Sequence, residues 1–322
     1  MTHAIHSWSR NDATRERLAG AVWGHLIGDA MGVPYEFRDP EQIGSVCFGE
    51  TGTHGQPPGT WSDDGALMLA LLDSLLRDRR PSEPAFDTID QARRFLAWLD
   101  GGEYTPDGDG LFDIGRTTSE ALARLHVGAP AELAGGTDEG DSGNGSLMRI
   151  LPLALVERDI SAAELVDHAH RSSAITHGNE LAQATCALYV LSARCLLGGA
   201  GPAEALRLAR LQLRTTYERG RESHARLAAL GKLEAWTARS GSGYVVDSFW
   251  SGWDAFAAAA SFQQTVENAI KYGHDTDTTA CVAGGLAGIW YGRSGIPEGW
   301  LRSIRGADTV GRLVARLLGT VD

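Results

Sequence analysis

The stretch Trp61-Ser62-Asp63-Asp64-Gly65-Ala66-Leu67-Met68 sets a hydroxyl and two adjacent carboxylates directly before an apolar run that lasts to Leu76. Leu67, Ala70, Leu71, Ser74 and Leu75 recur at helical spacing, so the run predicts an amphipathic helix with Ser62 as its N-cap. Asp63 and Asp64 then fall in the first turn, where the helix dipole alone favours an acid. Taken by itself, the stretch leaves capping and metal binding both open. A second cluster, Gly273-His274-Asp275-Thr276-Asp277-Thr278-Thr279, stands near the other end of the chain, again before an apolar run. Both clusters offer hard oxygen ligands with no cysteine pair beside them, a donor set suited to Mg²⁺ or Mn²⁺ rather than zinc. Four carboxylates do not pack together uncompensated, so a fold that joins the clusters requires cations between them.

Upstream, Arg15 to Gly32 predicts a helix carrying Gly20, Gly24, Gly28 and Gly32 at every fourth position. These glycines cost helix propensity, so a neighbouring backbone is expected to approach them closely. Pro34 stops the helix and leaves Glu36 in a loop, as a solvated acid or a site residue. Residues 38–60 are rich in Gly and Pro and predict a long irregular connection that is functional or mobile. After a Pro/Asp-rich connection, helices are expected at Thr88–Leu99, Ile114–His126, Ile150–Val156 and Ser161–His170, then in a long run ending at Leu197. More follow at Pro202–Arg219, Glu222–Thr237, Ser251–Ser261, Thr265–Tyr272, Thr278–Tyr291 and Trp300–Leu318. Gly284, Gly285 and Gly288 imply tight packing around the last helix but one.

Asp141-Ser142-Gly143-Asn144-Gly145-Ser146 is a Gly-rich turn opening a helix. It either presents N–H groups to a phosphate or is a plain flexible turn. His177 opens a later helix and either contacts a ligand or caps that turn. The sequence shows no alternating strand pattern of useful length, no repeat and no clear linker. The expected architecture is all-α: a flexible segment 1–13, then a single helical domain over 14–322 with roughly a dozen helices.

Of the 322 residues, 29 are Lys or Arg and 41 are Asp or Glu, a formal charge of −12. That balance argues against non-specific binding to nucleic acid or an anionic membrane. Cys47, Cys186, Cys195 and Cys281 form no CxxC and predict reduced thiols in a cytoplasmic protein. No apolar leader region and no membrane-length apolar run is seen. A monomer is expected.

Four segments together resemble the ADP-ribosylglycohydrolases, a family that includes the dinitrogenase reductase-activating glycohydrolases. They are Gly28-Asp29-Ala30 through Glu36, Ser62-Asp63-Asp64, Gly143-Asn144-Gly145 through Arg149, and Asp275-Thr276-Asp277-Thr278. Each is weak alone; in this order, with helical runs behind them, they are highly specific. The resemblance extends from about residue 18 to residue 292. It implies a compact all-α fold holding two Mg²⁺ or Mn²⁺ ions through Ser62, Asp63, Asp64, Asp275, Asp277 and Thr278. It also implies catalysis involving Glu36 with Asp63 and Asp64, a diphosphate-binding loop over Ser142, Gly143, Asn144, Gly145 and Ser146, and a His177 contact to ADP-ribose. The implied activity is hydrolysis of an α-linked ADP-ribosyl side chain, arginine first among the acceptors, of a protein or a small conjugate. An O-linked acceptor (serine or acetyl ester) and a catalytically weak ADP-ribose-binding regulator are the alternatives. One departure stands out: many members carry Thr after the paired Asp, and this chain has Gly65. Release of free ADP-ribose on adding Mg²⁺ separates an enzyme from a binding protein, or from a scaffold whose acids are mere caps.

Overall fold

The glycines of the first helix are where the fold is keyed together. In the computed structural model, which describes residues 10–77, 86–106, 110–220 and 223–319, α1 (Arg10–Gly32) lies antiparallel against a helix near the other end of the chain. A methyl group at Gly24 would stand 2.9 Å from the Phe262 ring and 3.2 Å from Gly288 Cα; at Gly20 it would stand 2.7 Å from Arg293 N. Reciprocally, Gly284 and Gly288 face the Gly24 and Gly20 carbonyls. Each helix is therefore cut down to its backbone where it meets the other, and the lost helix propensity is offset by contact along both.

The elements in order are α2 (Asp63–Leu75), α3 (Thr88–Gly101), α4 (Arg116–His126), α5 (Pro152–Val156), α6 (Ala162–Ala174), α7 (Glu180–Leu197), α8 (Pro202–Arg219), α9 (Ser223–Ala235), α10 (Val245–Ala257), α11 (Phe262–Ile270), α12 (Thr276–Tyr291), α13 (Glu298–Ser303) and α14 (Ala307–Leu317). The partner of α1 is α12, and α10 and α11 pack on its flanks. The apolar helix α7 is buried among α5, α6, α8, α9 and α10. Among the described residues there is no strand, only isolated bridges joining Gly136 to His177 and Gly143 to Tyr244. One continuous core runs through all of these helices, as expected for an all-α domain.

Several boundaries differ from the sequence reading. Helix α1 begins at Arg10, inside the segment expected to be flexible; residues 1–9 lie outside the described residues, as does the Pro/Asp-rich connection at 78–85. Helix α10 starts at Val245 rather than Ser251, because Asp247 accepts hydrogen bonds from Ser240 N and Ser242 N and ties the entering loop to the new helix. The closing helix divides into α13 and α14 at Gly306, whose φ of 63° is left-handed and which packs against Trp61. Among the described residues no helix is long and apolar enough to cross a membrane, and the four cysteines are unpaired thiols.

Candidate metal and anion site

The starts of α2 and α12 meet behind the end of α1. Ser62 caps α2 as expected, its hydroxyl accepting from Asp64 N at 3.2 Å. Asp29, one turn from the end of α1, accepts from Ser62 N at 3.0 Å and from Gly65 N at 2.7 Å. It thus satisfies two orphan donors of α2 from outside the helix, which fixes α2 against α1. Glu36 is buried, at 4% exposure, which disposes of the solvated-acid reading. Its backbone is anchored where Phe37 N donates to His274 O at 2.6 Å, and His54 Nε2 bonds to its carboxylate.

Asp63 and Asp64 are buried beside it, with Asp275 and Asp277 arriving from α12. Glu36, Asp275 and Asp277 each bring an oxygen within 4.8 Å of the others, and Glu36, His54 and Asp113 form a second such group. Asp277 Oδ1 accepts from Thr278 N at 2.9 Å, whereas its buried Oδ2 has no partner. Cys281 Sγ donates to Asp64 Oδ2 at 3.1 Å. An orphaned, fully buried carboxylate oxygen facing four other acids marks a place for a cation, and the oxygen donor set fits a hard divalent ion.

The electrostatics agree. Burial, then the neighbouring Asp113, Asp275 and Asp64, push Glu36 up to about 10. Burial followed by the adjacent carboxylate raises Asp63 well above the usual range; burial followed by Asp29 does the same to Asp64. Asp277 is raised by burial, then by Glu36 and Asp113. Asp29 is raised to about 7 by burial, against the pull of its two N–H donors. Such a set cannot all be ionised without positive charge among it.

A cavity of about 520 Å³ opens on these acids and runs to the Gly-rich turn, with Gly143, Asn144, Gly145 and His177 on its far wall. The turn is held as a loop strand: Asn144 N donates to Gly243 O at 3.1 Å and Val245 N to Ser142 O at 3.0 Å. Beneath it the fully buried Arg149 donates to Gly145 O and Ser172 O and lies over the Phe95 ring. The His177 ring lies against Gly143 and Gly145, its Nδ1 paired with the Thr176 hydroxyl at 2.8 Å. Burial, then the Arg149 charge, lowers it to about 3, so it is neutral.

Not every expected residue faces the cavity. Ser146 is buried with its hydroxyl on Ser173 and Cys186, and the Ser142 hydroxyl donates to Glu139 O at 2.9 Å. Asn144 does line the cavity, but its side-chain amide is already engaged: it donates to Asp275 Oδ2 and Ser248 Oγ, both at 2.9 Å, joining the turn to the acid cluster. Three features escaped the sequence reading. Asp113 enters the cluster from a loop, at a left-handed φ of 66° that Asp tolerates. His54 sits in the Gly/Pro-rich connection. A second cavity of about 500 Å³ lies behind the turn, walled by Trp236 and Tyr244, whose rings are 5.0 Å apart.

Gly65 also finds its reason. A methyl there would stand 2.7 Å from Leu26 Cδ2 and 2.8 Å from the Trp61 ring. The space a threonine would take is filled by two core side chains.

Comparison with known proteins follows the same lines. The profile of the family described as ADP-ribosylglycohydrolase matches residues 10–322. The chain is 30% identical over 309 residues to the ADP-ribosylarginine hydrolase Tri1 of Pseudomonas putida, covering 94% of this chain and 78% of that protein. It is 28% identical to the ADP-ribosyl-[dinitrogen reductase] glycohydrolase of Rhodospirillum rubrum, covering 91% of each. With human ADP-ribosylhydrolase ARH3 the identity is 27%, over 91% and 90% of the two chains. A solved structure described as an ADP-ribosylglycohydrolase-related protein complex superposes with a TM-score of 0.76 at 30% identity, covering 95% of this chain and 98% of that one.

Proposed function

From the premise that the chain belongs to the ADP-ribosylglycohydrolase family and hydrolyses an ADP-ribose linkage, we propose that the bond it cleaves joins ADP-ribose to an arginine side chain. The observation that carries this reading is the cavity itself, with buried acids at one end and a backbone loop backed by Arg149 at the other. Beside Glu36 the mouth carries Asp113 and the ring of Phe37, which is 67% exposed. An acid next to an open aromatic face suits a planar guanidinium better than a serine hydroxyl. The similarity to an ADP-ribosylarginine hydrolase supports the same acceptor.

Ser62, Asp63, Asp64, Asp275, Asp277 and Thr278 are the proposed ligands of two divalent ions, Mg²⁺ or Mn²⁺. When bound, these ions supply a seat for vicinal ribose hydroxyls and acidify a water. The chain's own groups do the rest. Gly143 and Gly145 are the proposed backbone seat of the diphosphate, with Asn144 bracing the turn between them, and the neutral His177 adds a ring nitrogen. Trp236 and Tyr244 are the candidate walls for the adenine. A carboxylate bound tightly to a cation is a poor proton donor, so acid–base work falls to Glu36, outside the proposed ligand set. It gives a proton to the departing nitrogen as oxocarbenium character develops, while Asp63 or Asp64 orients the attacking water. A monomer in the cytoplasm is proposed, in keeping with the four unpaired thiols.

The test is a panel of ADP-ribosylated acceptors: arginine, serine, acetyl ester and a small nucleotide conjugate. Each is assayed for free ADP-ribose with Mg²⁺, with Mn²⁺ and with EDTA. Fastest release from arginine, abolished by EDTA and restored by Mg²⁺ or Mn²⁺, is expected. Preference for the serine or ester linkage sinks the acceptor assignment, and full activity in EDTA sinks the metal assignment.

A further inference from the structure

Glu36 has three rotatable side-chain bonds and stands among like charges. Asp64, Asp113 and Asp275 line the same cavity, so a carboxyl free to rotate there has several acids to turn towards. Something must hold it in. The connection over residues 38–60, read from the sequence as merely irregular, folds back to do so. Gly52, with a left-handed φ of 55°, lies flat on Pro34, leaving no room for a Cβ against the Pro34 backbone. Thr53 Oγ1 donates to the Glu36 carbonyl at 2.6 Å. His54 Nε2 bonds to Glu36 Oε2 and lies 3.9 Å from Asp113 Oδ1. The imidazole is itself wedged between the rings of Phe37 and Phe112, with centroids 5.7 Å and 5.1 Å away. Three successive residues thus each grip the segment 34–36, through sterics, through its backbone and through its carboxylate. Phe37 takes a φ of 62°, an uncommon conformation for a bulky residue, and its amide bond to His274 O secures the far side.

We propose that Gly52-Thr53-His54 is a bracket that sets the pose of Glu36 for proton transfer, with His54 as the positioning residue. The bracket rests on the reading of Glu36 as the acid–base group. In the tautomer protonated at Nε2, the imidazole donates to one carboxyl oxygen and leaves the other for the reacting atoms. Because the bracket touches neither the anion loop nor the six proposed ligands, it acts on turnover rather than on binding. A misplacement of about 1 Å at a reacting group costs on the order of 100-fold in rate.

Two substitutions at one position separate positioning from bulk. His54→Phe keeps a ring between Phe37 and Phe112 and removes the donor. His54→Gln places an amide N–H where Nε2 stands. On the acceptor turned over fastest in the panel, His54→Phe is expected to lower kcat by roughly 10- to 100-fold. KM and the calorimetric Kd for ADP-ribose should stay within about threefold and Tm within about 2 °C, the scale of an ordinary surface change. His54→Gln should recover most of the rate. In a Glu36→Gln background, itself slow, His54→Phe should have no further effect. Wild-type kcat in His54→Phe beside a slow Glu36→Gln overturns the bracket and leaves the role of Glu36 intact. Normal turnover by Glu36→Gln overturns the acid–base reading, and the bracket with it. Equal losses in the Phe and Gln variants with a fallen Tm also overturn it, since the residue would then serve stability alone.

Discussion

Replacing Gly28 by Ala tests whether the α1–α12 contact holds the site in register. The added methyl would stand 2.6 Å from the Ala280 carbonyl carbon and 3.0 Å from Cys281 Cα, where ordinary contact begins near 3.4 Å. The Ala280 carbonyl oxygen is nearer still; these atoms are backbone and cannot rotate away, so the helices must part by at least about 0.8 Å at this level. Overpacking of this kind costs roughly 1–3 kcal/mol, and an unyielding neighbour places it at the upper end. Alanine returns up to about 1 kcal/mol of helix propensity, which leaves a net loss of about 2 kcal/mol. At roughly 2 °C per kcal/mol for a domain of this size, Tm should fall by about 4 °C. The site should suffer more than the fold, because Asp29 follows Gly28 on one helix and Asp277 precedes Ala280 on the other. A shift near 1 Å between them is expected to cost on the order of 100-fold in turnover. Gly231→Ala in α9 is the control: nothing lies within 4 Å of its would-be methyl, so it should gain up to about 1 kcal/mol. Thermal denaturation and hydrolysis of both variants decide the matter. A Gly28→Ala protein that melts like Gly231→Ala and turns over normally would refute the packing argument.

Further perturbations probe other parts of the site. Asp277→Asn keeps the bond from Thr278 N and removes one charge from the acid cluster. In EDTA its Tm should be equal to or above that of the parent, and the Tm rise on adding Mg²⁺ should be lost; an undiminished Mg²⁺ shift removes Asp277 from the ligand set. Gly65→Thr should destabilise by about 1–3 kcal/mol because Leu26 and Trp61 occupy the space. A variant of unchanged Tm would show that these side chains repack freely. His170 is buried with Nε2 bonded to Tyr217 Oη at 2.9 Å, and burial, then the Arg226 charge, lowers it from 6.5 to about 3. Between those values the unfolded chain takes up a proton that the folded one refuses, so stability falls as pH drops below 6.5. At pH 5 this amounts to about 2 kcal/mol. His170→Gln should melt with a shallower acid dependence, and an identical pH slope would disprove the assignment.

The helices and the two acidic clusters were readable because their signals are local. Periodicity, caps and the spacing of Gly20 to Gly32 are all written within a few turns, and even the demand for a close neighbour was legible from lost propensity. What pairs with what was not. Asp113 carries no pattern of its own; it becomes a site residue only because the start of α4 is delivered beside α12. His54 stands in a run of glycines and prolines whose sole readable property is irregularity. The Asn144 side chain looked like part of an anion loop by its neighbours, and its bond to Asp275 depends on the start of α12, 131 residues away. Gly306 breaks the last helix through a conformation that its flanking residues, good helix formers, do not announce. In each case the deciding contact is long-range, and residue types alone leave it open.

The α1–α12 contact also dictates when this enzyme can come into being. Gly28 and Ala280 are separated by about 250 residues, so α1 leaves the ribosome long before its partner exists. At the usual 5–20 residues per second the wait is roughly 10–50 s. Throughout it the glycine face of α1 has no helix to lie against, and Asp29 has no cluster to organise. The helices between, α2 to α11, assemble around a gap that only the penultimate stretch of the chain can fill. The acids from the two ends therefore meet as a late step of folding, after a loop closure spanning most of the molecule. A chain truncated before Asp275 would carry every residue of the Gly-rich turn and half of the six proposed ligands, with nothing to wedge them together.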